Sequence, residues 1–132
     1  MKYWLLDSSV GVLVALRLDA QLDAWMDEVN ADPEQTIIAS RLLKTEVTRV
    51  LRREQRPISL RDDLLSYVHL IPLTEPVLVQ AEAITQHIKT LDAIHLASLI
   101  HTGLDATVVT HDATMREVAE LIGYRTFDPV AA

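Results

Sequence analysis

Short apolar runs alternate along this chain with longer stretches in which apolar residues recur every three to four positions. Apolar runs of four or so residues fit strands buried on both faces, and the longer period fits helices packed by one stripe. The runs predict strands over Tyr3 to Leu6, Thr36 to Ala39, Val68 to Ile71, Thr107 to Val109 and Tyr124 to Phe127. Between them the spacing predicts helices over Val10 to Leu18, Gln21 to Asn30, Arg41 to Gln55, Leu60 to Ser66, Glu75 to Ile88, Leu91 to His101 and Ala113 to Leu121. Helix breakers fall where these elements should end: Asp32-Pro33, Arg56-Pro57, Gly103 and Gly123 close helices, and Thr74 with Pro76 opens one. No repeat or linker interrupts the pattern. The expectation is one α/β domain over residues 1–132, a central, mainly parallel five-stranded sheet flanked by helices.

Composition narrows the chemistry. With 49% hydrophobic and 23% charged residues among 132, the chain has the means to bury a core. It contains no Cys, which removes disulfides, thiolate catalysis and cysteine-held metals. Its three glycines stand far apart, so neither a GxGxxG turn nor a GxxxxGK phosphate loop is present. Asp7 interrupts the first apolar run before a signal-peptide core forms, and the longest stretch free of Asp, Glu, Lys and Arg, Ala93 to Leu104, is too short for a bilayer. The expectation is a cytoplasmic protein without membrane association. A net charge of −7 argues against nonspecific coating of nucleic acid, and nothing in the chain reads as a direct DNA binder.

Four acids occupy positions that local structure does not require. Glu46 lies inside the apolar stripe of its predicted helix, three or four residues from Leu42, Leu43 and Val50. Asp92 opens a helix so apolar that most of it must be buried, in line with Leu96 and Leu99. Asp7 and Asp112 each follow a strand and precede a helix, in the turns where open α/β sheets bind ligands. Each has a purely structural alternative. Glu46 can snorkel from the stripe edge, Asp92 suits the dipole of a first turn, and Asp7 and Asp112 suit N-caps, although Ser9 offers itself as the first helix's cap in place of Asp7. Taken together, the four predict one shared site. Carboxylates gathered in low dielectric repel each other unless a cation joins them, and all-oxygen ligands select a hard ion such as Mg²⁺ or Mn²⁺. Such an ion suits phosphodiester hydrolysis.

The stretches Leu6-Asp7-Ser8-Ser9, Leu42-Leu43-Lys44-Thr45-Glu46-Val47, Leu91-Asp92-Ala93-Ile94-His95-Leu96-Ala97 and Val109-Thr110-His111-Asp112, in this order, resemble the PIN-domain ribonucleases. More narrowly, the chain resembles the VapC toxins of bacterial type II toxin–antitoxin pairs. The resemblance implies Mg²⁺- or Mn²⁺-dependent endonucleolytic cleavage of RNA, a homodimer, and inhibition by a VapB-like antitoxin. By position it makes Asp7, Glu46, Asp92 and Asp112 the catalytic, metal-holding quartet, with Ser9 a supporting polar contact. Where some relatives carry a further acid just after the fourth, this chain has Thr114.

Arg49, Arg52, Arg53 and Arg56 recur at helical spacing on the helix that carries Glu46. Arg49, Arg52 and Arg53 are the candidates for holding RNA phosphates; the alternative is a solvated face paired with Glu54. His95 reads as a hydrogen-bonded core residue rather than a zinc ligand, and Trp4 and Trp25 as core or interface. Three other functions compete with the ribonuclease reading: a catalytically silent binding partner with the same fold, a phosphoacceptor signalling domain, and a phosphatase with a nucleophilic Asp after the first strand. The second is disfavoured because Ser8-Ser9 follow Asp7 where an acidic pair belongs, and the third because Ser9 stands where its second Asp belongs.

Overall fold

The computed structural model describes residues 1–130. Five strands, β1 (Lys2–Leu6), β2 (Gln35–Ser40), β3 (Val68–Ile71), β4 (Ala106–Val109) and β5 (Arg125–Phe127), form one sheet in the order β3-β2-β1-β4-β5. Every pairing is parallel. Seven helices connect them: α1 (Ser8–Ala15) and α2 (Ala20–Ala31), α3 (Leu42–Arg53) and α4 (Ser59–Leu65), α5 (Glu75–Glu82) and α6 (Thr90–Thr102), and α7 (Ala113–Ile122).

Strand alternation divides the interior into two layers. Trp4, Leu6, Ile37, Ala39 and Val109 face the core built with α1 to α4, while Leu5, Ile38, Ala106 and Val108 face the core built with α6 and α7. With both faces covered, the central strands read as continuous apolar runs, which is why the sequence marks them so plainly. Trp4 and Trp25 are core residues, stacked edge to face at 5.2 Å with Phe127 against both.

The chain runs outward from β1 to β2 and β3, then crosses to β4 and β5 on the other side. The order therefore reverses between β1 and β4, and parallel sheets open a crevice at the carboxyl ends of the strands on either side of such a reversal. Asp7 follows β1, and Asp112 follows β4 by three residues. On the opposite side of Asp7, Gly11 of α1 lets α3 come close: a Cβ there would lie 2.6 Å from Leu43 Cδ1, inside a fully buried contact. That approach carries Glu46 to the same end of the sheet.

The largest departures from the predicted boundaries are in the first and fifth helices: α1 starts at Ser8 and ends at Ala15 rather than running from Val10 to Leu18. The fifth helix ends at Glu82 rather than Ile88; Ile84 and Ile88 instead pack as non-helical chain against the second core, so burial overrides local helical period. α1 is capped by Asp7, not by Ser9: the Asp7 side chain accepts from Val10 N–H, and Ser9 lies within the first turn.

Candidate active site

The four acids sit on four elements that end at the crevice. Asp7 is 2% exposed, yet it is supplied with donors. Ser9 Oγ donates to Oδ1 at 2.7 Å, Val10 N–H to the same oxygen at 3.2 Å, and Thr110 Oγ1 makes a short bond to Oδ2. Burial pushes the Asp7 carboxyl above its ordinary value of 3.8, and these donors act in the opposite direction. Ser9 Oγ also accepts from His111 N–H at 3.0 Å, and Thr110 Oγ1 from Asp112 N–H at 3.0 Å. The two hydroxyls thus lock the turn after β1 to the turn after β4. Ser9 Oγ is a polar contact of Asp7, and Thr110 is an equal partner that sequence reasoning did not single out.

Glu46 is held from two sides. His95 Nε2 lies 2.6 Å from Oε1, and Ser8 Oγ donates to the same oxygen at 2.9 Å, with Ser8 and His95 themselves 3.0 Å apart. His95 is fully buried and its Nδ1 has no partner among the described residues. A hydrogen on Nε2 and a bare Nδ1 is the tautomer that leaves no buried N–H unpaired, so the imidazole donates to the carboxylate. No described residue bonds Oε2, which keeps that oxygen for another ligand. The expectation of His95 as a hydrogen-bonded core residue stands; its partner, a site acid across 49 residues of chain, was not legible.

Asp112 caps α7, accepting from Met115 N–H at 2.9 Å. Asp92, in the first turn of α6, is half-buried, and among the described residues no donor hydrogen-bonds it. Burial raises its carboxyl above 3.8, and the charges of Asp112, Asp7 and Glu46 raise it further. This mutual field places the quartet in one neighbourhood. Among the described residues, however, no three Asp, Glu or His side chains stand as a preformed metal cage. Each of the other three acids spends at least one oxygen on a protein donor. The donor chemistry, all carboxylate oxygens with one repelled and unbonded member, fits a hard divalent cation that gathers them.

The arginine stripe divides. Arg49, Arg52 and Arg53 are all exposed, and Arg53 Nε pairs with Glu54 at 3.3 Å, the alternative reading for that residue. Arg49 instead joins Arg41, Lys44 and Arg61 around a groove between α3 and α4. His111 is exposed and bonds Asp128 at 2.8 Å, away from the acids.

Comparison with known proteins now decides the family. The PIN domain family model matches residues 4–121. The chain is a PIN domain. Ribonuclease VapC47 of Mycobacterium tuberculosis is 31% identical to it over 115 residues, covering 84% of each chain. Among solved structures, VapBC2 of Rickettsia felis bound to a promoter DNA fragment superposes with a TM-score of 0.75 at 14% identity, over 96% of this chain and 98% of that one. The Mycobacterium tuberculosis toxin VapC20, described as cleaving the sarcin-ricin loop, gives 0.65 at 15% identity over 92% and 95%. Against this PIN domain the expected α/β architecture is correct, and the sheet is wholly rather than mainly parallel. No helix among the described residues is long and apolar enough to cross a membrane.

Proposed function

We propose that this PIN domain is a VapC-type toxin that hydrolyses RNA phosphodiester bonds endonucleolytically with one carboxylate-bound Mg²⁺ or Mn²⁺. The observation that carries the reading is the convergence of Asp7, Glu46, Asp92 and Asp112 at the chain reversal, with Asp92 under the field of the other three. The sequence relative named as a VapC ribonuclease supports the activity, and the structural neighbours that are VapBC assemblies support a VapB-like antitoxin partner. A homodimer acting in the cytoplasm completes the reading.

A bound divalent ion would supply activation of water and neutralisation of charge growing on the phosphate. Asp92, Glu46 Oε2 and Asp112 Oδ2, which no described residue hydrogen-bonds, would be the oxygens open to it, and Asp7 would complete the set. Thr110 and Ser9 hold the Asp7 carboxyl in place by hydrogen bonds that work against the rise its burial causes. His95 and Ser8 orient Glu46 by hydrogen bonds to Oε1, so two of the four acids are held before any cation arrives.

The test is incubation of total RNA and a purified tRNA panel with antitoxin-free protein in Mg²⁺ or Mn²⁺, against EDTA and Asp7→Asn controls. Discrete fragments that vanish in both controls are expected. No cleavage of any RNA by folded protein with either ion would point to the silent binding partner instead.

A further inference from the structure

The acids at the crevice are not held alike. Asp7 and Glu46 are fixed by hydroxyl and imidazole donors, whereas Asp112 spends one oxygen on the Met115 N–H and depends for its placement on the turn that carries it. That turn, Thr110 to Asp112, joins β4 to α7 and is bonded on two sides, to the turn after β1 and to the chain leaving β5.

Parallel register brings the second of these into place. Val109 pairs with Phe127, and the Thr110 N–H donates to the Phe127 carbonyl at 3.0 Å, so the residue after β5 stands beside the turn after β4. That residue is Asp128, partly buried, whose Oδ2 accepts from His111 Nδ1 at 2.8 Å and from Arg116 Nη2 at 3.3 Å. A carboxylate only accepts, so His111 Nδ1 carries the hydrogen. His111 precedes Asp112, and Arg116 lies one helical turn after it, its N–H donating to the Asp112 carbonyl at 3.0 Å. One carboxylate oxygen therefore ties down both flanks of Asp112.

Asp128 is itself anchored. Its Oδ1 accepts from the Val130 N–H at 3.0 Å, Pro129 is buried, and the Pro129 carbonyl accepts from Gln21 Nε2 of α2 at 3.2 Å. On the other side of the turn, the His111 N–H donates to Ser9 Oγ, which donates to Asp7. The turn is gripped between Asp128 and the Ser9–Asp7 pair, and a shift at either end passes to both Asp7 and Asp112.

We infer that Asp128 is a positioning residue for the cation site: through His111 and Arg116 it sets where Asp112 stands, and through the His111 backbone it supports Ser9 on Asp7. The inference rests on the ribonuclease reading above, because the placement of these acids matters to the chemistry only if they share an ion. In this role Asp128 itself touches neither ion nor RNA. The competing role is a clasp for the chain after β5, whose loss would cost stability and leave the site unchanged.

The test is calorimetric titration of antitoxin-free protein with Mn²⁺, with hydrogen exchange of the His111 and Asp112 amides read by NMR on the same samples. Asp128→Ala is compared with Asp128→Asn, which keeps one acceptor oxygen without the charge, and with Asp105→Ala, which breaks the Asp105–Arg125 pair at the amino end of β4. Unfolding midpoints verify that every variant is folded at the titration temperature. Asp128→Ala is expected to weaken Mn²⁺ binding about tenfold, in the range for losing a partner behind a ligand, and to speed exchange of both amides. Asp128→Asn and Asp105→Ala should stay within about twofold of wild type. An Asp128→Ala variant with a lowered midpoint but wild-type Mn²⁺ affinity and exchange overturns the inference and leaves the clasp. Equal weakening by Asp128→Asn also overturns it, since the residue would then act through its charge. If wild type binds Mn²⁺ and cleaves RNA and Asp128→Ala matches it, only this inference falls; if wild type neither binds the ion nor cleaves, the ribonuclease reading falls and this inference with it.

Discussion

Asp7 and Asp92 share one crevice and one direction of shift, yet they are built in opposite ways. Asp7 is nearly inaccessible but receives three hydrogen bonds, from Ser9, Val10 and Thr110. Asp92 is half-open to solvent, receives none among the described residues, and faces three other carboxylates. Burial is the first cause of the raised pKa at both. At Asp7 it is offset by donors that cost little to keep in place, whereas at Asp92 the remaining cause is like charge. The lesson is a division of labour: Asp7 is a structural anchor fixed by its donors, and Asp92 is the member whose charge the described residues leave without a hydrogen bond.

The comparison can be broken most sharply by cleavage kinetics. Asp7→Asn and Asp92→Asn should each lower cleavage at least about 100-fold if both supply charge to the proposed ion. A mild effect at either would remove that residue from the quartet. Stability should then separate them in sign. In EDTA, Asp7→Ala leaves the Thr110 and Ser9 hydroxyls without their acceptor and should cost about 1–3 kcal/mol by urea unfolding. Asp92→Asn should raise the midpoint slightly, because relief of repulsion at a half-exposed group is worth well under the full interaction. Loss of stability at Asp92→Asn would contradict the unrelieved charge argued for it.

Metal addition sharpens the same point. Mg²⁺ or Mn²⁺ at about ten times its Kd should stabilise the wild type by about 1.4 kcal/mol, and calorimetric scans should show a smaller gain for Asp92→Asn. An unchanged midpoint with either ion would count against a metal site. The smallest effect is the pH profile in EDTA. Both carboxyls are raised in the folded state from 3.8, so the native protein binds more protons than the unfolded chain at pH values just above that figure. Their contribution to stability is therefore present at acid pH and lost as pH rises through the folded pKa values. Asp128 runs the other way: burial works against ionisation, but His111, Val130 N–H and Arg116 hold it below 3.8. Asp92→Asn should flatten the falling limb of the unfolding midpoint; a profile identical to wild type would show that its shift does not couple to folding.

Much of this was legible in the chain. The three central strands were visible because strands buried on both faces must be apolar throughout, the partly exposed edge strands β3 and β5 showed as short apolar runs between helices, and Gly103 and Gly123 marked helix ends because each adopts a left-handed conformation there. The four acids were visible as violations of pattern. Their partners were not. Helical period places His95 in the core but cannot show that Glu46 meets it, and the choice of Asp7 over Ser9 as cap depends on Thr110, more than 100 residues away. The basic groove escaped for the same reason. Periodicity grouped Arg49 with Arg52 and Arg53 on one helix, whereas packing of α4 grouped it with Arg41 and Arg61.

Local rules of burial and capping suffice to write strands, helices and misplaced acids into the sequence, because each depends on neighbours a few residues apart. The order β3-β2-β1-β4-β5 is of another kind. It sets β1 beside β4 across about 100 residues of chain, and only that pairing opens the crevice, joins Ser9 to Thr110 and brings Asp7, Asp92 and Asp112 into one field. Strand neighbours are chosen by how both faces of the whole sheet are covered, a collective packing condition that no single stretch of sequence encodes.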